Sequence, residues 1–321
     1  MDEILDERLS PQAPPMPTPV MRSVDVTLVP GGVSAIGRPE SLKNPFRAGM
    51  WLDEIRFLLT SEEQYLDASY GLLIDAKFDL GRNPLTNQYV PIAMLGKLLN
   101  PNPDPGSFAA PAVFTWHMPK PFYVPANNLV MPNFRFTQRV NLAPETAVNV
   151  RLTYVGRSLE PSAPEPDVIH VPWATPFIGQ RRDTVFGVPQ HFVEDSTHAD
   201  LCNSFNGDLH LQRFIGRILR SQAGFEQTEF PAEDVGVFSQ EAITVRITNA
   251  DARITVKDGT PFGHLFDIQD RAWTVNTLLR SKGFYLAHID ERLPASPSER
   301  FPVSVQPFIS MIGWRDVEYR P

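Results

Sequence analysis

The sequence predicts an all-β protein, two tandem antiparallel β-sandwiches behind an extended N-terminal arm. Three observations lead there. The chain is written as apolar segments of 6 to 12 residues divided by Gly, Pro, Asn and Asp, the text of short strands and turns. Several segments alternate apolar and polar residues with period two, as a strand does when one face meets a core and the other meets water. Finally, 32 prolines against 19 glycines in 321 residues leave little room for long helices, because proline removes a helical donor and clashes with the preceding turn. A chain of this length accommodates two domains, each able to bury its own core.

Residues 1–21 open with the acidic MDEILDERLS and continue as PQAPPMPTPV, whose prolines favour an extended backbone, so they are expected to form an arm. The first sandwich is expected over 22–158, from SVDVTLV, MWLDEIRFLL, YGLLIDAKFDL, YVPIAMLGKLL, AVFTWHMPKPFYV, NLVMPNFRF and AVNVRLTYVG. In the last of these, Val148, Val150, Leu152 and Tyr154 recur at every second position. Over 51–57 the alternation is imperfect and a short helix is the alternative. Pro119, Pro121 and Pro125 point to an edge strand or a bent corner, since each removes a ladder donor. Residues 159–195 begin with LEPSAPEPDVIHVPWATP, dense in proline and poor in periodicity, and read as an interdomain linker. The second sandwich is expected over 196–321, from LHLQRFIGRIL, DVGVF, AITVRITNA, ARITVKDG, AWTVNTLL, GFYLAHI and VSVQPFISMIGW, with Asn206-Gly207 and Asp258-Gly259 as tight-turn pairs.

The halves share a weak repeat. PFRAGMWLDEIRFLL matches SFNGDLHLQRFIGRIL, VFTWHMPKPFYV matches WTVNTLLRSKGFYL, and VNVRLTYVGR matches VSVQPFISMIGWR, in the same order. The anchors Phe46 and Phe205, Tyr123 and Tyr285, Gly156 and Gly313 stand 159, 162 and 157 positions apart. A duplicated domain and two unrelated β domains both produce such text.

The Pro-rich corner and aromatic strands of KPFYVPANNLVMPNFRF at 120–136, with LTYVGR at 152–157 closing the half, resemble viral capsid jelly rolls. The tandem layout resembles the double jelly-roll capsid proteins of tailless DNA viruses and phages. This resemblance covers residues 22–157 and, more weakly, the second half. It implies a virion structural protein, a major or minor capsid subunit, that self-assembles through its sandwich flanks and N-terminal arm. The implied state is a symmetric homo-oligomer, a trimer, in contact with other virion proteins after assembly in the host cytoplasm. Loops shorter than those usual for main shell subunits keep minor capsid, vertex, cement and tail-associated roles beside it.

Charge and motifs bound the chemistry. Lys+Arg 29 against Asp+Glu 37 gives a net charge of −8 with no basic run, so direct nucleic-acid binding is not expected, while membrane contact stays open. The single cysteine, Cys202, allows no internal disulfide and suits a reducing compartment. The acidic N-terminus lacks the basic then apolar pattern of an export signal.

The densest ligand set is His191, Glu194, Asp195, His198 and Asp200, whose spacing matches no common metal signature; a solvated loop explains it as well. His264, Asp267 and Ser281, or Ser204, Asp208 and His210, are conceivable triads, but no Gly-x-Ser-x-Gly elbow accompanies them. Asp53 with Glu54 and Glu62 with Glu63 are adjacent, so on a strand each pair points to opposite faces and cannot act as paired carboxylates. No enzyme, cofactor or metal is therefore expected. The rival reading is a phage tail, fibre or other glycan-binding sandwich using Trp116, Phe122 and Tyr123, or Trp273, Phe284 and Tyr285, as a platform; core packing is the plainer role for these rings.

Overall fold

The computed structural model describes residues 18–28, 33–35, 44, 49–61, 68–80, 83–86, 88–98, 113–128, 130–137, 147–159, 164–222, 228–229, 242–249, 255–266, 271–299 and 303–319. Most of the expected arm, residues 1–17, and Glu62, Glu63 and Asp267 lie outside them. The first half holds strands β1 (Thr18–Leu28), β2 (Val33–Ala35), β3 (Met50–Ser61), β4 (Ile74–Leu80), β5 (Asn83–Pro84), β6 (Val90–Pro91), β7 (Lys97–Leu98), β8 (Val113–Val124), β9 (Val130–Phe136) and β10 (Val148–Ser158). The second holds β11 (Val168–Ile178), β12 (Arg182–Asp183), β13 (Gln190–Asp195), β14 (Leu201–Cys202), β15 (Leu209–Gln222), β16 (Thr228–Glu229), β17 (Ile243–Asn249), β18 (Thr255–Pro261), β19 (Ala272–Leu279), β20 (Phe284–Leu293) and β21 (Val303–Glu318).

Both halves are wound alike. In the first, β1 pairs β10, β2 pairs β9, β3 pairs β8 and β4 pairs β5, all antiparallel: one long hairpin rolled on itself. In the second, β11 pairs β21, β13 pairs β20, β15 pairs β19 and β17 pairs β18 in the same nesting. The outcome is a pair of facing sheets in each half, β1-β10-β3-β8 over β2-β9-β4-β5 and β11-β21-β15-β19 over β13-β20-β17-β18. This is the jelly-roll winding, twice. The expected all-β fold of two tandem antiparallel sandwiches is the one observed.

Two expected boundaries are corrected. Residues 18–21 belong to β1, with Val20 buried, so the strand starts inside the expected arm. The expected linker 159–195 contains β11, β12 and β13, all parts of the second sandwich. Proline misled the reading. β11 lies at the end of its sheet, so Pro172 and Pro176, four residues apart and on one side of the strand, need no ladder donor there. In β8 proline does mark a corner. Leu52 of β3 faces Phe122 and Glu54 faces His117, so the stretch carrying Pro119 and Pro121 bulges from the ladder.

The imperfect alternation over 51–57 also has a local cause. The segment is a strand, and Asp53 is a β-bulge: Gly156 of β10 pairs Leu52 and Val155 pairs Glu54. The extra residue flips the pleat, so Leu52 points inward before it and Ile55 and Phe57 point inward after it. β15 repeats the device. Gln212 is skipped between Leu211, which pairs Gly313, and Arg213, which pairs Ile312; Leu209 and Leu211 face the core before it and Phe214 after it. A glycine is required opposite each bulge. A Cβ on Gly156 would meet the Trp51 carbonyl oxygen at 2.1 Å, and one on Gly313 would meet that of His210 at 2.3 Å. The sequence anchors Gly156 and Gly313 are thus structurally equivalent. Tyr123 and Tyr285 are not, because the first lies on β8 and the second on β20.

A second shared device precedes each bulge by nine residues. Asn44 is buried, and its Nδ2 donates to Val124 O (3.1 Å) and Pro125 O (3.2 Å), while its backbone N–H donates to Asn128 O (3.0 Å). Asn203 is buried likewise. Its Nδ2 donates to Gly207 O (2.7 Å), Leu279 O (3.1 Å) and Arg280 O (3.1 Å), its backbone N–H donates to Gly283 O (2.8 Å), and its Oδ1 accepts from Phe205 N (3.1 Å). Each asparagine locks a corresponding turn, β8 to β9 in the first sandwich and β19 to β20 in the second, and each turn contains a left-handed residue, Asn127 (φ 60°) or Lys282 (φ 61°). Asp258-Gly259, expected as a hairpin turn, instead lies within β18, where Gly259 (φ 64°) sits in a register shift.

Removing the side-chain amide strands several buried carbonyls. Asn203→Ala is expected to lower unfolding free energy by about 1–3 kcal/mol in chemical denaturation; a loss inside experimental error would contradict the clasp.

Candidate functional site

The residues singled out by chemistry do not converge. β13 places His191 and Asp195 on its outer face, where each pairs across to β20: His191 Nε2 lies 2.8 Å from Asp290 Oδ1 and His288 Nδ1 lies 2.5 Å from Asp195 Oδ1. Glu194 points the other way and accepts from Gln180 N at 2.8 Å. His198 packs on the Phe284 ring, 5.8 Å between centroids, and Asp200 accepts from Thr197 N at 2.7 Å. Among the described residues no group of three His, Cys, Asp or Glu side chains is placed to hold a metal ion.

Of the two conceivable triads, the first has its Asp267 outside the described residues, and in the second Ser204 and Asp208 line one recess with Asp316. Ser281 Oγ donates to Phe205 O (2.7 Å), and His264 is exposed on the helical turn Phe262–Leu265. His210 stacks on Trp314 at 4.9 Å with its Nε2 3.4 Å from Asp316, while Ser204 and Asp208 are exposed in the loop before β15. Asp53 pairs with Arg157 (2.9 Å) and Glu54 with Arg56 and His117, the latter at 3.0 Å. Of the proposed glycan platforms, Trp116, Phe122 and Tyr123 are buried, and Trp273 and Tyr285 pack on Phe214 within the second core. Trp116, Phe122, Tyr123 and Tyr285 thus form core and half-buried Trp273 packs against it, while Phe284 is half-buried beside His198.

The most heavily built feature is the joint between the sandwiches. The outer face of sheet β11-β21-β15 is buried as well as its inner face, and its apolar residues Ala174, Ile215, Leu219, Phe308 and Ile312 fall into the same apolar cluster as Phe114, Ala93 and Met94 of the first sandwich. Residues 303–313 of β21 are accordingly buried without alternation. Polar groups at the joint are matched. Arg217, 3% exposed, donates from Nε to Ala93 O (2.8 Å) and from Nη2 to Gly96 O (3.3 Å), with its guanidinium 5.7 Å from the Phe114 ring. Ser310 Oγ donates to Met94 O (2.6 Å), and Gln88 Nε2 donates to Pro176 O (2.9 Å). At the rim, Tyr123 OH donates to Glu165 Oε1 (3.1 Å) and its ring meets Tyr319 edge-on at 5.4 Å. Burial and the neighbouring Glu165 carboxylate push the Tyr123 hydroxyl's pKa up, so it stays a donor. None of these contacts carries a periodic sequence signal; Arg217 in FIGRIL reads only as a polar break in a strand.

Sequence reasoning also missed Glu291, 1% exposed on the inner face of β20. Its carboxylate oxygens accept no hydrogen bond among the described residues; Arg182 Nε is 3.9 Å away. Burial, reinforced by Glu194, pushes its pKa up from 4.5 to about 7, with Arg182 opposing. The folded state therefore favours the protonated acid. Below pH 4.5 folded and unfolded chains are both protonated and the group costs nothing; as pH rises towards 7 the unfolded chain ionises first and stability falls; above 7 the loss is complete. Glu291→Gln is expected to stabilise the protein by about 1–3 kcal/mol at pH 8 and to make no difference near pH 4. Equal unfolding free energies at pH 8 would refute the buried-acid assignment.

No family model and no curated protein matches the chain. Among solved structures it is similar to VP54 of PBCV-1, fitted into a cryo-EM reconstruction of the virophage Sputnik, at 8% identity and a TM-score of 0.42, over 96% of this chain and 98% of that one. It is similar to the major capsid protein P2 of bacteriophage PM2 at 9% identity and a TM-score of 0.38, over 93% and 98% of the two chains. It is also similar to the Faustovirus major capsid protein at 8% identity and a TM-score of 0.37, over 98% and 92%.

Proposed function

We propose that this chain is a virion structural protein, a major or minor capsid subunit without enzymatic activity, that builds a shell from copies of itself. The observation that carries the reading is the joint: two jelly rolls wound identically are fused through a buried sheet face into one block. A block of this kind suits a particle. Jelly rolls recur in capsid proteins, and also in lectins and cupins, so the winding alone does not choose between them. Burial of the candidate glycan platform Trp116, Phe122 and Tyr123 weighs against the lectin-like alternative. Among the described residues, Asp53, His191 and Ser281 are each taken up by a separate local partner, Arg157, Asp290 and the Phe205 carbonyl, which gives the chemical alternative no support.

In this reading the subunit is a trimer, made in the host cytoplasm and incorporated with other virion proteins, and it does not bind nucleic acid directly. Particle stability comes from weak contacts repeated across many copies. The acidic and Pro-rich residues 1–17 serve as an arm that straps a neighbour; proline has already restricted them, so docking costs less entropy than for a flexible tail.

The purified protein is expected to form symmetric oligomers in negative-stain images and light scattering. Deleting residues 2–17 should leave circular dichroism unchanged and impair assembly. A chain that stays monomeric at every concentration would overturn the capsid reading, and unimpaired assembly of the truncated chain would overturn the arm's role.

A further inference from the structure

Asn206-Gly207, expected from the sequence as a tight-turn pair, does not make the turn such pairs favour. A type I′ turn needs positive φ at both central residues, and neither of these has it. Both lie in an exposed bend between β14 and β15. The backbone there does not require glycine, and a Cβ on Gly207 would meet nothing within 4 Å. What the glycine does leave is an uncrowded peptide nitrogen next to a carboxamide.

The bend is tied at its ends and free between them. Asn203 Oδ1 accepts from Phe205 N (3.1 Å), Asn203 Nδ2 donates to Gly207 O (2.7 Å), and Ser281 Oγ donates to Phe205 O (2.7 Å). The Asn206 carboxamide and the Gly207 N–H make no hydrogen bond among the described residues. The two clasp asparagines differ on every count. Asn203 is buried with its amide donating to three carbonyls, and Asn44 is buried with its amide donating to two and is followed by proline, which has no N–H. In the whole sequence Asn206 is the one asparagine followed by glycine.

The surroundings also suit an attack on that carboxamide. Asn206 and Gly207 line a recess of about 420 Å³ together with Arg315, whose guanidinium stacks on Phe205 (3.6 Å) and pairs with no carboxylate among the described residues. Negative charge developing on Asn206 therefore arises in the same recess as a cation without a counter-ion. Of the two acids lining it, Asp316 is engaged by His170 and His210, which leaves Asp208 to oppose.

We infer that Asn206 is a site of spontaneous deamidation that places a carboxylate in the Arg315 recess. The Gly207 nitrogen, deprotonated, attacks Asn206 Cγ; the N–Cγ bond forms, the Cγ–Nδ2 bond breaks and ammonia leaves a cyclic imide. Water then opens the imide at either carbonyl, giving an aspartyl or an isoaspartyl residue. The balance is one water in and one ammonia out. The isoaspartyl product adds a methylene to the main chain between Phe205 N and Gly207 O, the two groups that Asn203 holds, and so loosens the clasp.

The test incubates the folded full chain at neutral and mildly alkaline pH and maps its peptides by mass spectrometry, with fragment ions separating Asn206 from Asn203. A gain of about 1 Da is expected at Asn206, split between two products and faster at the higher pH, with Asn203 unchanged. Gly207→Ala, for which there is room, is expected to slow the gain by about tenfold or more, because the added Cβ restricts the approach of the nitrogen. An Asn206 that stays intact in the folded chain while the chain unfolded in urea reacts would overturn the site, as would a gain confined to Asn203. Equal rates in wild type and Gly207→Ala would overturn the attack by the Gly207 nitrogen. The isoaspartyl form, separated by chromatography, should melt below the Asn206→Asp variant; equal melting would overturn the effect on the clasp.

Discussion

Strand β21 is buried on both faces over residues 303–313, and much of the molecule is arranged around that constraint. Its inner face meets the second sandwich through Val305, Ile309 and Met311, and its outer face meets the first through Phe308 and Ile312. A strand enclosed in this way loses the regular alternation of a strand with one wet face, and its text VSVQPFISMIG is mostly apolar with Ser304, Gln306 and Ser310 set into it. Its buried polar side chains find local partners, apart from Gln306 Oε1, which accepts no hydrogen bond among the described residues. Ser310 reaches Met94 O, and Gln306 reaches Gly179 O at 2.7 Å. Arg217 on the adjacent β15 caps the carbonyls of the segment that follows β6. Leaving those carbonyls unmatched at a dry interface would cost more than the hydrogen bonds themselves contribute.

Repetition below the level of overall winding ties the two halves together. Each sandwich has a bulge, at Asp53 of β3 or Gln212 of β15, facing a glycine of its last strand, and each has a buried asparagine nine residues earlier that locks a turn. Jelly-roll winding alone demands neither device. Their joint occurrence at matched spacing favours a duplicated domain over two unrelated ones, although the surrounding side chains have diverged: Arg157 pairs with Asp53 in the first half, whereas Trp314 stacks on His210 in the second.

What the sequence made legible follows from which features are periodic. The strands at 148–158 and 243–249, with one buried face each, alternate clearly and were read correctly. The glycine anchors were visible because a bulge tolerates nothing larger opposite it. β11 was hidden by proline, which marks a linker and an edge strand equally well until the neighbouring strand is known. The segment at 51–57 looked ambiguous because one inserted residue reverses the pleat. Asn44, Asn203, Arg217 and Glu291 were invisible for a common reason. Each is a single polar residue whose role is set by partners far along the chain, and Glu291 in HIDERL reads as surface charge.

If the joint fuses the sandwiches into one block, they should not unfold separately, contrary to the usual behaviour of linked domains. Differential scanning calorimetry of the intact chain measures this most directly. A single transition with matching calorimetric and van't Hoff enthalpies is the predicted result; two resolved transitions, one for each sandwich, would contradict it.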